Sequence, residues 1–496
     1  MTLKTQVAHG LKWQAISIVG SQLLSLVVFT TLARLLEPSA FGLVALVGVY
    51  LGIVSLFTDQ GIGTAIIQRQ DLQPEHKDAA FWFNLGCAVV LCLGTMVLAG
   101  PVAAFYHEPR LVRLLQWSSV GLVIGASSAI HANLFTKAMD FRQPVIRGLI
   151  ANATGGAVGV GMALAGCGVW SLVGQQLAGA MAGTIFLWRM SSYRPAFRFS
   201  WPHLRQLFGF SSSVFATSIF WYFSSRLDQM VIGRFSGIPM LGLYTIAGKI
   251  PNLANMVTQQ PLAAVSLPSL SKLQGDQSKM RQMIVHGMEL NAVVSFAIFV
   301  GVAALSSDLV PLLFGAKWVG ASLFCSMLSI YALINVLQVF VHPALLASGG
   351  VGKYVLINVW HITGVVLACL VGVQFGVTYL IFGLILNHLI ITIPALLFLQ
   401  QRIGMSPLSY CRPCLVPAMA SLFMVCVVWL IAALWPHPGL PAVLLACKVT
   451  AGAVAYLSVV FVWRRGTFYK LFDMAGRAVG SFSSSTMTIA PPVVDH

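Results

Sequence analysis

The sequence predicts an all-α polytopic membrane protein of about 14 transmembrane helices. Three observations carry that expectation. The 496-residue chain is 58% hydrophobic and only 8% charged, with a mean hydropathy of +0.85, whereas a soluble protein carries about 25% charged residues. Its apolar runs approach the ~20 residues a helix needs to cross a ~30 Å hydrocarbon core. The runs are continuous and lack the short alternating segments of a membrane barrel. A net charge of +16 would suggest nucleic acid in a soluble chain. Here the basic residues sit in short loops between spans, where the orientation rule accounts for them, so no nucleic-acid partner is expected.

The first run, 13–34, follows Lys4 and Lys12. It is too long for a signal-peptide core and lacks a small-residue cleavage site, so it reads as the first span. Spans at 41–63, 79–105, 113–135, 145–166 and 169–189 complete an N-terminal lobe, residues 1–190. The connection 191–207 holds Arg194, Arg198, Arg205 and Trp201 and suits an anionic inner leaflet. A second lobe, 208–402, has spans at 208–233, 240–267, 285–312, 319–346, 354–373 and 377–400. Two further spans, 413–434 and 441–463, lie within 403–463. In the tail, 464–496, Phe468, Leu471, Phe472, Ala475 and Val479 share one helical face, as in an interfacial helix. The Ser- and Pro-rich end reads as disordered. With the N-terminus inside, 21 Lys and Arg residues fall on the inner side and 5 on the outer. Shifting the count by one span would destroy that asymmetry, so both termini are expected in the cytoplasm.

The two lobes echo each other at an offset of 200 residues. Arg34 precedes Gly42-Leu43 as Arg234 precedes Gly242-Leu243, and Thr58-Asp59-Gln60 stands against Thr258-Gln259-Gln260. Both intervening turns hold a proline, Pro38 and Pro239. Several matches at one offset point to a parallel repeat of a helical unit.

Arg226, Asp228 and Lys249 lie inside spans. An ionisable group at mid-bilayer costs about 2.5–3.5 kcal/mol, which favours a protein interior or a wet cavity. At 1.5 Å per residue, Arg226 and Lys249 fall roughly 12–15 Å below the turn at 236–239. Two cations at similar depth suit an anion; pairing within a packed bundle is the alternative. Arg34 and Arg234, at the outer mouth, are further candidates beside snorkelling, and Lys448 reads as lipid-facing. Gln259, Gln260, Trp221 and Tyr222 suit contact with sugars, with helix joining for the glutamines and packing for the aromatics as the alternative. Asp228, Asp59 and Glu289 are the coupling-ion candidates, with helix capping or a loop lysine as the favoured alternative for the last two.

Enzymatic chemistry finds no foothold. Ser348–Tyr354 lacks the first glycine and the last Ser/Thr of a phosphate-binding loop. No DxD occurs, and no loop is long enough to house a transferase domain. Cys411 and Cys414 have no further ligands nearby for zinc. The histidines, His131, His286, His342, His361 and His388 among them, stand far apart in sequence, without a ligand pair. No cofactor or metal is expected.

Leu11-Lys12-Trp13, LARLLEPSAFGLVAL (Leu32–Leu46), FTDQGIGTAIIQRQ (Phe57–Gln70) and YTIAGKIPNLANMVTQQPLAAVSLPSLSKLQ (Tyr244–Gln274) together resemble the Wzx-type polysaccharide-unit flippases. These form the polysaccharide transporter branch of the MOP superfamily, and the opening 75 residues are most similar to the colanic-acid or xanthan type. The resemblance implies two six-helix lobes around a central cavity, two extra helices and alternating access. The implied substrate is an undecaprenyl-diphosphate-linked oligosaccharide, moved to the outer leaflet of the bacterial inner membrane. Membrane lipids and the polysaccharide polymerase and chain-length or export machinery are the implied partners. Rival readings are a peptidoglycan lipid-precursor flippase, a multidrug exporter of the same superfamily, and a scaffold for glycan-assembly enzymes.

Overall fold

The computed structural model describes residues 20–59, 61–140, 142–435 and 441–463. The expected interfacial helix and tail lie outside them. Among the described residues the regular structure is helical throughout. Ten helical stretches among the described residues are long and apolar enough to cross a membrane. Four expected spans account for the difference from 14. Only Gly20–Leu35 (α1) is described of the first. The sixth, α7 (Trp170–Met190), has the length, at about 31 Å, but is diluted by Gln175, Gln176 and the glycines at 174, 179 and 183. The seventh, α8 (Trp201–Phe235), is long and comparatively polar.

The eighth expected span is not one helix. It breaks into α9 (Ile238–Ala247), α10 (Lys249–Thr258) and α11 (Gln260–Ser271). Two prolines explain the breaks. Pro251 has no N–H for the carbonyl of Ala247, four residues earlier, and Pro261 has none for that of Val257. Non-helical backbone at membrane depth is tolerated only against protein or water.

By packing, the chain divides into two compact units. The first runs to Ala247 and adds Leu313–Phe324 and Gly364–Gly383; the second holds Gly248–Leu312, Cys325–Thr363 and the chain from Leu384 onward. This partition follows contacts, whereas the proposed lobes follow the repeat, and the two cut the chain at different places.

In the first unit, α2 (Pro38–Asp59), α3 (Ile62–Gln68), α4 (Pro74–Phe105), α5 (Arg110–Lys137) and α6 (Arg142–Leu164) precede α7 to α9. At one end, Ile62, Ile66, Phe81, Ile130 and Leu204 form a buried core. The connection before α8 is held against α4. Asp78 accepts from the Tyr193 hydroxyl (2.7 Å) and the Ala196 N–H (3.3 Å), and the Trp82 indole donates to the Ala196 carbonyl (2.8 Å). Burial, with the Asp78 carboxylate beside it, pushes the Tyr193 phenol up. Helix α8 begins at Trp201, so residues 201–207 of the expected linker are already helical.

The second unit holds α10, α11, α12 (Gln277–Phe314, to Leu312), α13 (Ala321–Val336, from Cys325), α14 (Val341–Ala347), α15 (Val351–Phe375, to Thr363), α16 (Val377–Ile403, from Leu384), α17 (Pro407–Leu434) and α18 (Pro441–Trp463). A buried cluster in it includes Met280, Met288, Phe340, Leu345, Leu399 and Tyr410. The 38 residues of α12 make a rod of about 57 Å, well beyond the ~30 Å hydrocarbon core. Its foot is tied to the α16–α17 turn. Gln277 donates to the carbonyl of Arg402 (3.3 Å), and Arg281 donates to that of Gly404 (3.4 Å).

Lys448 corrects the sequence expectation. It does not face lipid: it is 6% exposed and its ammonium lies 2.6 Å from Oδ2 of Asp308 on α12. Eight residues on, the Tyr456 hydroxyl donates to the Val293 carbonyl (2.7 Å). Two polar contacts thus pin α18 to α12. A carboxylate 140 residues away relieves the cost that would otherwise send a lysine to the membrane surface.

Candidate functional site

Helix α8 carries the cation and the carboxylate of the first unit. Arg226 is exposed, and no ion pair joins it to any described residue. Asp228 is half-buried two residues on, about 200° round the helix, and engages other groups. Its Oδ1 accepts from the Gln229 N–H (2.8 Å) and its Oδ2 from the Tyr244 hydroxyl of α9. No ion pair joins Asp228 to Arg226.

Tyr222, one turn before Arg226, points its hydroxyl at α2. It donates to the carbonyls of Gly48 (3.1 Å) and Val49 (3.0 Å). Gly52 makes room, since a Cβ there would lie 1.8 Å from that oxygen. Tyr222 therefore positions α8, and its hydroxyl is already engaged. Trp221, about 100° round the helix, is 66% exposed.

Arg34 and Arg234, paired by the repeat, have different surroundings. The Arg34 Nε donates to the Leu313 carbonyl (2.9 Å), while its own carbonyl accepts from Lys317 (2.9 Å). The Trp318 indole donates to the carbonyl of Ala33 (2.9 Å), and its ring meets Phe41 edge-on. The end of α1 is thus locked to the turn at 316–318. Arg234 lies over the rings of Phe105 (5.4 Å) and Phe235 (5.5 Å). It lines an open pocket of about 400 Å³ with Tyr106, His107, Glu108 and Arg110. Glu108 and Arg110 pair through two hydrogen bonds, at 2.6 and 3.0 Å.

In the second unit, Lys249 is half-buried at the first position of α10. Gln259, proposed for sugar contact, is buried and spends its amide on protein. It donates to Asn291 (3.1 Å), Ser295 (2.8 Å) and Thr258 (3.2 Å), and accepts from Asn291 (3.3 Å). Its neighbour Gln260 is exposed, and Glu289 is half-buried on α12. The side chain of Asp59 lies outside the described residues.

Sequence reasoning missed several groups. Tyr244, Asn291 and Asp308 are singly unremarkable in sequence and gain meaning only through partners on other helices. The histidines stand far apart in sequence, and the fold brings His361 and His388 into a hydrogen bond (3.3 Å) across α15 and α16. Twenty-seven residues of hairpin separate them, a spacing that no ligand motif covers.

Comparison with known proteins matches this arrangement of helices. The family described as "Polysaccharide biosynthesis protein" matches residues 31–323. The succinoglycan biosynthesis transport protein ExoT of Rhizobium meliloti is 26% identical over 312 residues, covering 63% of this chain and 63% of that protein. The lipopolysaccharide biosynthesis protein WzxC of Escherichia coli is 26% identical over 324 residues, covering 64% of this chain and 65% of that protein. The chain thus aligns with less than two thirds of the length of either relative. Among solved structures, the lipid II flippase MurJ in an inward closed conformation superposes with a TM-score of 0.73 at 13% identity, over 91% of this chain and 98% of that one. The fold is that of the lipid flippase. The family match covers more than half of the sequence, from α1 into α13, and the chain belongs to the polysaccharide biosynthesis protein family.

Proposed function

We propose that the chain is a flippase that carries an undecaprenyl-diphosphate-linked oligosaccharide from the cytoplasmic to the periplasmic leaflet of a bacterial inner membrane by alternating access. In this reading it makes and breaks no covalent bond and serves exopolysaccharide or lipopolysaccharide synthesis. Both termini are cytoplasmic, and a polysaccharide polymerase and export machinery receive the product. The names of the relatives, a succinoglycan transport protein and a lipopolysaccharide biosynthesis protein, support this substrate class over a drug.

The observation that carries it is Arg226, a cation within a span that is exposed and has no described ion-pair partner. A diphosphate cannot enter hydrocarbon unaided, and an arginine replaces its water bidentately. Lys249 offers a second phosphate contact along the crossing, and Arg234, with its pocket, a third. Gln260 and Trp221 are exposed and remain assigned to sugars. Gln259 and Tyr222 support helices, and Arg34 fixes the turn at 316–318. Asp228 is the coupling candidate, its protonation tied to Tyr244; Glu289 and Asp59 are the others.

The test is export. Arg226→Gln and Lys249→Gln, each shown to reach the membrane, are expected to lower surface polysaccharide at least tenfold, with Arg226→Lys intermediate. Full export from both glutamine variants would remove these cations from the substrate path.

A further inference from the structure

In the second unit, two membrane-embedded histidines form a chain with a defined direction. Nε2 of His361 on α15 lies 3.3 Å from Nδ1 of His388 on α16, with the rings 4.7 Å apart and 88° to each other. Nε2 of His388 lies 2.6 Å from Oδ1 of Asn335 on α13. The Asn335 amide is oriented by its own Nδ2, which donates to the Tyr331 carbonyl (3.4 Å). Further polar contacts frame the pair. Asn387 donates to the carbonyl of His361 (3.0 Å), Thr392 to that of His388 (2.8 Å), and Gln338 to Thr392 (3.1 Å).

These partners fix where the protons are. An amide oxygen only accepts, so His388 carries its hydrogen on Nε2. Its Nδ1 is then a lone pair, and His361 must donate to it from Nε2. The one basic nitrogen left over is Nδ1 of His361, to which no hydrogen bond is made among the described residues.

A proton arriving at that Nδ1 makes an imidazolium whose Nε2–H already points at the His388 lone pair. Moving this hydrogen across the 3.3 Å gap transfers the charge to His388, while His361 keeps the proton it received. One excess proton therefore belongs to both rings. A second would set two cations in contact, which like-charge repulsion opposes. The titratable groups facing the pair are Tyr331 of α13, whose ring is 4.7 Å from that of His388, and His342 of α14, which Tyr354 of α15 covers at 5.4 Å. No described carboxylate, lysine or arginine forms a hydrogen bond or ion pair with either histidine.

We propose that His361 and His388 form a proton-binding site that holds one proton between two rings, with Asn335 positioning His388. The site is independent of the phosphate-bearing cations assigned above, and measuring it requires no glycan and no transport.

The experiment is a proton count on the full chain in lipid nanodiscs, from about pH 8 to about pH 4, the range in which histidines titrate. The double variant H361Q/H388Q is expected to take up one proton fewer than the parent. Each single variant is expected to keep that step at a displaced midpoint, and N335D, which adds a negative charge, to move it to higher pH. In the unaltered protein, nitrogen NMR of labelled histidine should show one imidazolium exchanging between two coupled rings. A double variant that loses no proton, or loses two independent ones, overturns the shared site. So does a parent spectrum in which both rings stay neutral throughout the range. Either result leaves the transport reading standing.

Discussion

Gly42 and Gly242 lie against each other's helices through matching contacts. A Cβ on Gly42 would come within 2.0 Å of the carbonyl oxygen of Ile238, and one on Gly242 within 1.9 Å of that of Pro38. Pro38 and Ile238, like the glycines, are 200 residues apart. Each residue touches the counterpart of the one that touches its own, as in an isologous contact between two copies. The preceding helix ends match as well, with Leu36 and Ser236 each donating at 2.8 Å to the carbonyl four residues back. The repeat read from sequence is thus also a packing relationship inside the first unit.

Since backbone, not a flexible side chain, occupies the space at both glycines, Gly42→Ala and Gly242→Ala are expected to destabilise the protein by similar amounts. Each should cost at least the ~1–3 kcal/mol of an overpacked core. Thermal unfolding in detergent would show it. Gly48→Ala, in the same helix with nothing within 4 Å of its Cβ, should leave the midpoint unchanged. Equal behaviour of all three would argue against the contact.

The buried pair Lys448–Asp308 makes a different prediction. Lys448→Met strands a carboxylate in the membrane interior. The loss should be about 3 kcal/mol, the low end for a broken buried pair, because Asp308 retains some exposure. Lys448→Met with Asp308→Leu should recover most of it. A double variant no more stable than the single one would show that the ion pair does not govern the docking of α18.

Tyr244→Phe removes the hydroxyl that Asp228 accepts from. A hydrogen bond to a charged group contributes about 1.5–3 kcal/mol, so unfolding should ease by about that amount. Asp228→Asn, which can still accept from Tyr244, should lose less stability while reporting on coupling through the pH dependence of export. Export of both variants with an unaltered pH profile would take Asp228 off the coupling path.

Glu108 gives a pH test outside the membrane. Hydrogen bonding from the Arg110 guanidinium holds its carboxyl below the ordinary glutamate value. A depressed carboxyl stabilises the folded state above its unfolded pKa, and that stability is lost as pH falls through the lower, folded value. Acid unfolding of Glu108→Gln should therefore differ from that of the parent at neutral pH and converge with it in strong acid. The effect is small because the Arg110 side chain is largely in solvent.

Ten of the expected spans and the Gly42–Gly242 echo were legible because hydropathy and a fixed sequence offset can be read without the fold. The prolines at 251 and 261 were legible too, yet the apolar run through them read as one helix. The run is hydrophobic enough to span, and only the missing amide donors divide it. What sequence withheld was partnership. Lys448 looks like a snorkelling lysine until Asp308 is beside it, and Gln259 looks free until Asn291 and Ser295 surround its amide. His361 and His388 become a pair only when α15 and α16 fold back on each other. Each is set by tertiary packing between residues that no short window contains.

The length of α12 has a mechanical side. A stiff rod of about 57 Å that tips by about 10° swings its end by roughly 10 Å. With its foot stapled by Gln277 and Arg281 to the turn at 402–404, that swing would be delivered to the loop ahead of α17. A spin label at Ser278 is therefore a pointer that magnifies any rocking of the membrane-embedded portion into a displacement readable in the aqueous phase.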